Sequence, residues 1–240
     1  SGGRLIYLGA GTPALISLGD ALEVPQTYGI PRDRVLVILA GGKGIVENLN
    51  GPEEDDGPLA RIKVAEAGVG PGDCVIATSA SGSTPYTVSG LTAAREAGAA
   101  TIGVAGNPGA PLFDVADVSV LIEAGPEVIS GSTRLGAGTA QKAALNLFST
   151  LLGVKLGHVH DGLMVNMVAD NAKLRKRAAR IVAQVTGVAL PQAEAALSET
   201  DGAVKPAILI AAGAAGYDTA IASLQAAGGN VRAALIALAR

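Results

Sequence analysis

The densest set of reactive side chains in the sequence is Ser79-Ala80-Ser81-Gly82-Ser83-Thr84-Pro85-Tyr86, which carries four aliphatic hydroxyls around one glycine. It follows an apolar run and leads into a helical pattern, so hydroxyl donors and the amides of a helix start converge on one point. That combination suits a phosphate group. The plainer reading of the same residues is a well-capped helix. Two further loops share the character. Gly9-Ala10-Gly11-Thr12-Pro13 offers close backbone approach at Gly11, a helix cap at Thr12 and a first-turn proline. Gly131-Ser132-Thr133 is expected to open a long helix beyond Glu127. A nicotinamide dinucleotide is rejected, because the Gly-x-Gly after the first strand has Ala14 where the third glycine of the fingerprint belongs.

The elements that must position these loops are short β-branched runs alternating with longer helical segments: Leu5 to Leu8, Val35 to Leu39, Val75 to Thr78, Thr101 to Ala105 and Val118 to Ile122. Right-handed crossovers between parallel strands need a helix in between, so the pattern predicts a doubly wound, five-stranded parallel α/β sheet of flavodoxin-like type. Ligands of such sheets bind beyond the carboxyl ends of the strands, where the Gly/Ser/Thr-rich loops lie. From Thr139 to Leu156 the pattern is one long apolar helix, followed by a basic one through Asn171-Ala172-Lys173-Leu174-Arg175-Lys176-Arg177. Beyond Ile181 the chain is Ala-rich and weakly duplicated, Asp201 to Leu209 against Gly228 to Ile236, each copy a glycine turn feeding a short helix. The reading is a sugar-phosphate-binding domain over 1–178 and a small helical domain over 179–240, similar to the ubiquitin-associated fold in its turn pattern.

Composition narrows the function classes. The chain of 240 residues is 49% hydrophobic, yet its apolar runs are broken by Gly and Pro well short of a membrane span. A net charge of −3 and an aromatic content of 2% supply neither the basic patch nor the stacking platforms of a nucleic-acid binder. The lone Cys74 cannot form an intrachain disulfide and fits a reducing cytoplasm. His158 and His160 lack a third ligand at metal spacing, so no metal and no cofactor are expected. Ser1-Gly2-Gly3 runs directly into a strand without an initiator Met, which reads as a chain lacking N-terminal helices.

The stretches Gly3 to Thr12, Ser79-Ala80-Ser81-Gly82 with Thr84-Pro85-Tyr86, Gly125-Pro126-Glu127-Val128, Gly131-Ser132-Thr133-Arg134-Leu135, Gly138-Thr139-Ala140-Gln141-Lys142 and Asn171 to Arg175 together resemble the N-acetylmuramic acid 6-phosphate etherases. These belong to the sugar isomerase (SIS) superfamily, as does the glucokinase regulatory protein, a sensor without etherase activity. The resemblance implies loss of D-lactate from a phosphorylated amino sugar by elimination and hydration, in a homodimer. It places the two catalytic carboxylates at Glu23, within Asp20-Ala21-Leu22-Glu23-Val24-Pro25, and at Glu54, within Gly51-Pro52-Glu53-Glu54-Asp55-Asp56. Glu54 is then the base at C2 and Glu23 the acid. Without the family pattern, Glu53 to Asp56 reads as a solvated acidic loop. The implied phosphate and sugar contacts are Gly11, Thr12, Ser79, Ser81, Gly82, Ser83, Thr84, Glu127, Ser132 and Thr133. The chain departs from the family at Pro13-Ala14-Leu15, Ser83, Gly136, Asn166 and Val168, several of which replace a cation. An aldose–ketose isomerase and a non-catalytic sugar-phosphate regulator are the competing readings.

Overall fold

The computed structural model describes residues 2–49, 51–169 and 171–239. Its strands are β1 (Leu5–Gly9), β2 (Val35–Leu39), β3 (Cys74–Thr78), β4 (Ala100–Ala105) and β5 (Val118–Leu121), all parallel in the order β2-β1-β3-β4-β5. The helices of this part are α1 (Gly11–Tyr28), α2 (Gly57–Glu66), α3 (Pro85–Glu96), the short α4 (Pro111–Asp114) and α5 (Gly136–Lys155). This is the doubly wound sheet that the alternation predicts. The strand order reverses between β1 and β3, so their carboxyl ends flank the switch-point crevice.

Residues of β1 alternate between the two faces, as a pleated strand requires. Ile6 and Leu8 are fully buried with Val64 of α2, Leu91 of α3 and Leu112 of α4. Each such side chain removed from water is worth about 2 kcal/mol. Tyr7 points the other way, and its hydroxyl donates to Asp20 of α1 at 2.5 Å. Asn146 of α5 donates to the second Asp20 oxygen at 2.5 Å, which ties both helices to that face. At the amino-terminal edge, Arg4 meets the Asp73 carboxylate at 2.6 Å and donates to the carbonyls of Ala67 and Gly68.

By contact the chain divides into one unit of Ser1–Pro25 with Ile30–Phe148 and another of Gln26–Gly29 with Ser149–Arg240. This division by contact falls at 148/149, ahead of the domain division expected at 178/179. Its physical reason lies in α6 (Ala172–Thr186), whose basic run is the solvated side of an amphipathic helix. The opposite side, Ala178, Ala179, Ile181 and Val182, is buried with Val165, Leu197 and Ile208 in the second core. That unit adds a hairpin, β6 (Val159–His160) and β7 (Leu163–Met164), and the helices α7 (Leu190–Glu199), α8 (Val204–Ala211), α9 (Tyr217–Ala226) and α10 (Val231–Leu238). The duplication appears as left-handed glycine turns at Gly202 and Gly228-Gly229 ahead of α8 and α10. Lys205 of the first copy donates to the Gly229 carbonyl of the second at 2.9 Å. Among the described residues no single helix is long and apolar enough to cross a membrane.

Candidate functional site

The loop between β3 and α3 is built around Ser79. Its hydroxyl is almost wholly buried, accepts from the Gly82 amide at 2.9 Å, and shares a hydrogen bond of 2.9 Å with the Thr84 hydroxyl. Thr84 occupies the N-cap position of α3 but makes no capping bond, because its hydroxyl is turned to Ser79. The amides of the first turn of α3 are thus left without a side-chain cap, and the positive end of the helix faces the loop. Ser81 stands exposed above it, accepting from the Ser83 amide at 3.2 Å and from the Ser83 hydroxyl at 3.0 Å. Gly82 adopts φ +75°, and a Cβ there would lie 2.4 Å from that of Ala110, so glycine is required by both backbone and packing. The reading of this segment as a mere helix cap does not fit its geometry.

Gly9 pairs with Thr78, so the loops after β1 and β3 leave the sheet side by side, about 5 Å apart. Onto the first of them folds the 3₁₀ turn Gly51–Asp55. The Glu54 carboxylate covers Gly11, which has φ +61°, so closely that a Cβ there would meet its Oε1 at 2.6 Å. Glu53 lies in the same way near Gly41 after β2. Both side chains are half-buried, which corrects the picture of a solvated acidic loop. Burial, with the Asp55 charge adding to it, pushes the Glu54 carboxyl above its ordinary pKa. Helix α1 begins at Gly11 itself, so Thr12 lies inside its first turn instead of capping it. Glu23 is exposed on α1, twelve residues beyond Gly11, which is about 18 Å of helix rise. A single chain therefore does not bring Glu23 to Glu54.

A cavity of about 370 Å³ opens at the carboxyl ends of β3, β4 and β5, where Ser81, Asn107, Glu127, Thr133 and Ala137 line it. Asn107 was not singled out from the sequence. It donates to the Ser81 carbonyl at 3.2 Å and so braces the loop from the end of the next strand. The helix start expected at Gly131-Ser132-Thr133 is also corrected. Helix α5 begins at Gly136, and its cap is the Glu127 carboxylate, which accepts from the amides of Ala137 and Gly136 at 2.9 Å each. Two carboxylate oxygens spanning adjacent amides outcompete a hydroxyl there. Those bonds hold the Glu127 carboxyl below its ordinary pKa. Thr133 still faces the cavity, Ser132 lies beside a smaller one, and Lys142 is exposed farther along α5.

The SIS domain family model matches residues 65–151, the stretch that carries the Ser79 loop and the start of α5. An N-acetylmuramic acid 6-phosphate etherase of Deinococcus radiodurans is 45% identical over 98% of this chain and 77% of its own length. Another, of Geobacillus thermodenitrificans, is 47% identical over 98% of this chain and 79% of its own length. The chain belongs to the N-acetylmuramic acid 6-phosphate etherase family. A solved protein of E. coli CFT073 superposes with a TM-score of 0.50 at 17% identity, covering 67% of this chain and 74% of that one, which supports the SIS fold. In this chain Ser79 to Tyr86, Gly125 to Val128 and Gly131 to Leu135 follow the carboxyl ends of β3 and β5, Gly3 to Thr12 carries β1 into α1, and Asn171 to Arg175 opens α6 in the second unit.

Proposed function

We propose that this chain is a carbon–oxygen lyase that removes D-lactate from the C3 ether of N-acetylmuramic acid 6-phosphate, leaving N-acetylglucosamine 6-phosphate. The observation that carries the reading is the half-buried Glu54 carboxylate at Gly11, one strand spacing from the uncapped hydroxyl cradle Ser79 to Thr84. The cradle and the amides of α3 take the phosphate. Glu54, with its raised proton affinity, withdraws the C2 proton of the open-chain aldehyde, the C3–O bond breaks, and water then adds at C3. A second carboxylate must protonate the departing lactate oxygen and later activate water.

Glu23 takes that role from a second copy of the chain, since its own copy holds it about 18 Å along α1 from Gly11. The active form is thus a homodimer. Exposed Leu147, Leu151 and Val154 at i, i+4 and i+7 on α5 give it an apolar contact stripe. The enzyme works on a small phosphorylated amino sugar in the cytoplasm, without nucleic acid or membrane as partner. One observation favours the regulator instead: the described residues lining the cavity include Glu123 and Glu127 but no Lys or Arg. Incubation with N-acetylmuramic acid 6-phosphate and assay for D-lactate separates the two. Release of lactate is expected. Tight binding of the sugar phosphate with neither lactate release nor solvent-deuterium exchange at C2 would establish the regulator.

A further inference from the structure

Three successive carbonyls of the Ser79 loop accept hydrogen bonds from the segment that follows β4. The Gly106 amide donates to the Ala80 carbonyl at 3.0 Å, the Asn107 carboxamide to the Ser81 carbonyl at 3.2 Å, and the Leu112 amide to the Gly82 carbonyl at 2.9 Å. The two segments also touch, since a Cβ on Gly106 would lie 2.9 Å from the Ala80 oxygen and one on Gly82 would lie 2.4 Å from the Ala110 Cβ. Two of the three donors are backbone amides, which the fold supplies whatever the side chains are. The third is a side chain, and it holds the middle carbonyl. The Ser81–Gly82 peptide thus has its oxygen on Asn107 and its amide on the Ser79 hydroxyl at 2.9 Å, and that hydroxyl lies 2.9 Å from Thr84 Oγ1. A peptide that accepts at its carbonyl donates more strongly at its N–H, and a serine oxygen that accepts from an amide keeps its own proton for an acceptor. Asn107 is exposed and lines the 370 Å³ cavity together with Ser81. A hydrogen bond in contact with water adds little to the stability of the fold, so the value of this one is to be sought in the loop that it orients.

We infer that Asn107 is a positioning residue of the cradle, setting the plane of the Ser81–Gly82 peptide and, through it, the Ser79 and Ser81 hydroxyls that take the phosphate. The inference rests on the reading of Ser79 to Thr84 as a phosphate site, and it adds to that site a residue from a different strand end. A carboxamide nitrogen donates at every pH, whereas an ionised carboxylate in its place only accepts and brings a negative charge beside the phosphate. A protonated carboxyl regains one donor. Among the described residues, the titratable groups that line the same cavity are Glu123 and Glu127, both from the segment after β5, and their charges favour protonation of a carboxyl introduced there.

The test is calorimetric titration with N-acetylglucosamine 6-phosphate of the wild type, Ser81→Ala, Asn107→Ala and Asn107→Asp, at pH 8 and at pH 5, with thermal melting alongside. Asn107→Ala is expected to bind about five- to tenfold more weakly than the wild type at both pH values, the scale of one lost hydrogen bond. Asn107→Asp should bind roughly fiftyfold more weakly at pH 8, where the lost donor and the added charge combine, yet more tightly than Asn107→Ala at pH 5, where its carboxyl takes up a proton. Comparison with the wild type at each pH cancels the titration of the sugar phosphate and of Glu123 and Glu127. Both variants should melt within about 2 °C of the wild type, because the side chain they alter is exposed. Wild-type affinity in Asn107→Ala, alongside weakened binding in Ser81→Ala, overturns the inference and leaves the cradle in place. So does a lowered melting temperature with unchanged affinity of the folded protein, since Asn107 would then serve the scaffold. Asn107→Asp binding no more tightly than Asn107→Ala at pH 5 overturns it too, because the donor would then not be what the loop requires. If the wild type does not bind the sugar phosphate, or Ser81→Ala binds it as the wild type does, the cradle reading falls and the inference falls with it.

Discussion

Glu54 combines the carboxylate of the proposed mechanism with a position that costs stability when it is ionised. Burial disfavours its charged form and raises its pKa, so at neutral pH the ionised folded state carries a cost that the unfolded chain does not. The sign follows from this: a carboxylate raised in the fold is penalised above its folded pKa, and the penalty disappears as pH falls through it. Glu54→Gln is therefore expected to melt slightly higher than the wild type at pH 7 to 8, with the gap closing in acid. The same variant should lose lactate release and C2 exchange by factors of about 100 to 10,000. Glu23→Gln should lose release more severely than exchange, which deuterium incorporation followed by NMR will resolve. At Ser81 the expectation concerns affinity alone. Its hydroxyl stands above the loop as the acceptor for Ser83, so Ser81→Ala should weaken binding of N-acetylglucosamine 6-phosphate by roughly 1 to 2 kcal/mol. Unchanged affinity would remove the cradle from the site.

Among the elements, β1 and β3 are held at their amino-terminal ends as firmly as they are exploited at their carboxyl ends. Asp73 accepts from the Arg4 amide and guanidinium and from the Gly70 amide, which lowers its pKa to about 2. A carboxylate depressed in this way stabilises the fold above its unfolded pKa near 4, and the contribution fades as pH falls toward 2. It is worth about 2 kcal/mol at neutral pH. Asp73→Asn should lose that much in urea unfolding at pH 7, with the difference from wild type shrinking below pH 4. An equal loss at every pH would mean that packing, not charge, sets the value of this contact. The sequence makes such elements legible because strand runs and helix runs are local patterns. The strands Leu5–Gly9 and Cys74–Thr78 differ by one residue from the β-branched runs that announce them. The hydroxyl cluster Ser79 to Thr84 is legible for the same reason, its residues being contiguous, whereas its use as a phosphate cradle rests on the proposed function. Glu127 as the cap of α5 is not legible, because its partner amides lie nine and ten residues away and the intervening Ser132-Thr133 gives a stronger local cap signal. The position of Glu54 over Gly11, 43 residues distant in sequence, and the bracing by Asn107 depend on the sheet order, which residue patterns do not encode directly. At α6 the sequence shows the solvated basic stripe but not the core that the other side of the helix joins.

At the scale of the whole molecule, two features can be tested without reference to each other. In the helical unit, Lys205 is 9% exposed, and burial pulls its pKa down to about 8. Its folded pKa lies below the unfolded value of about 10.4, so the unfolded chain binds the proton more tightly and stability rises with pH between them. Lys205→Met should abolish a rise of roughly 3 kcal/mol between pH 8 and pH 10. Comparison of the two proteins at each pH removes the opposing effect of Cys74 and Tyr86, which burial raises above their ordinary values. The last prediction concerns assembly. If Glu54 of one copy meets Glu23 of another at a twofold interface, each site needs one carboxylate from each chain, and a chain defective in either is inactive with its own kind. Mixing Glu23→Gln with Glu54→Gln under conditions that exchange subunits then forms a heterodimer in which one site carries both substitutions and the other carries neither. Random exchange makes half of the dimers heterodimers, so lactate release should recover to about a quarter of the wild-type rate. Recovery should also require exchange, and be absent from a mixture in which the dimers are cross-linked beforehand. A mixture that stays inactive after demonstrated exchange, or a wild-type monomer that retains activity at micromolar concentration in sedimentation, would show that Glu23 does not act across an interface and that the second carboxylate must be sought within the same chain.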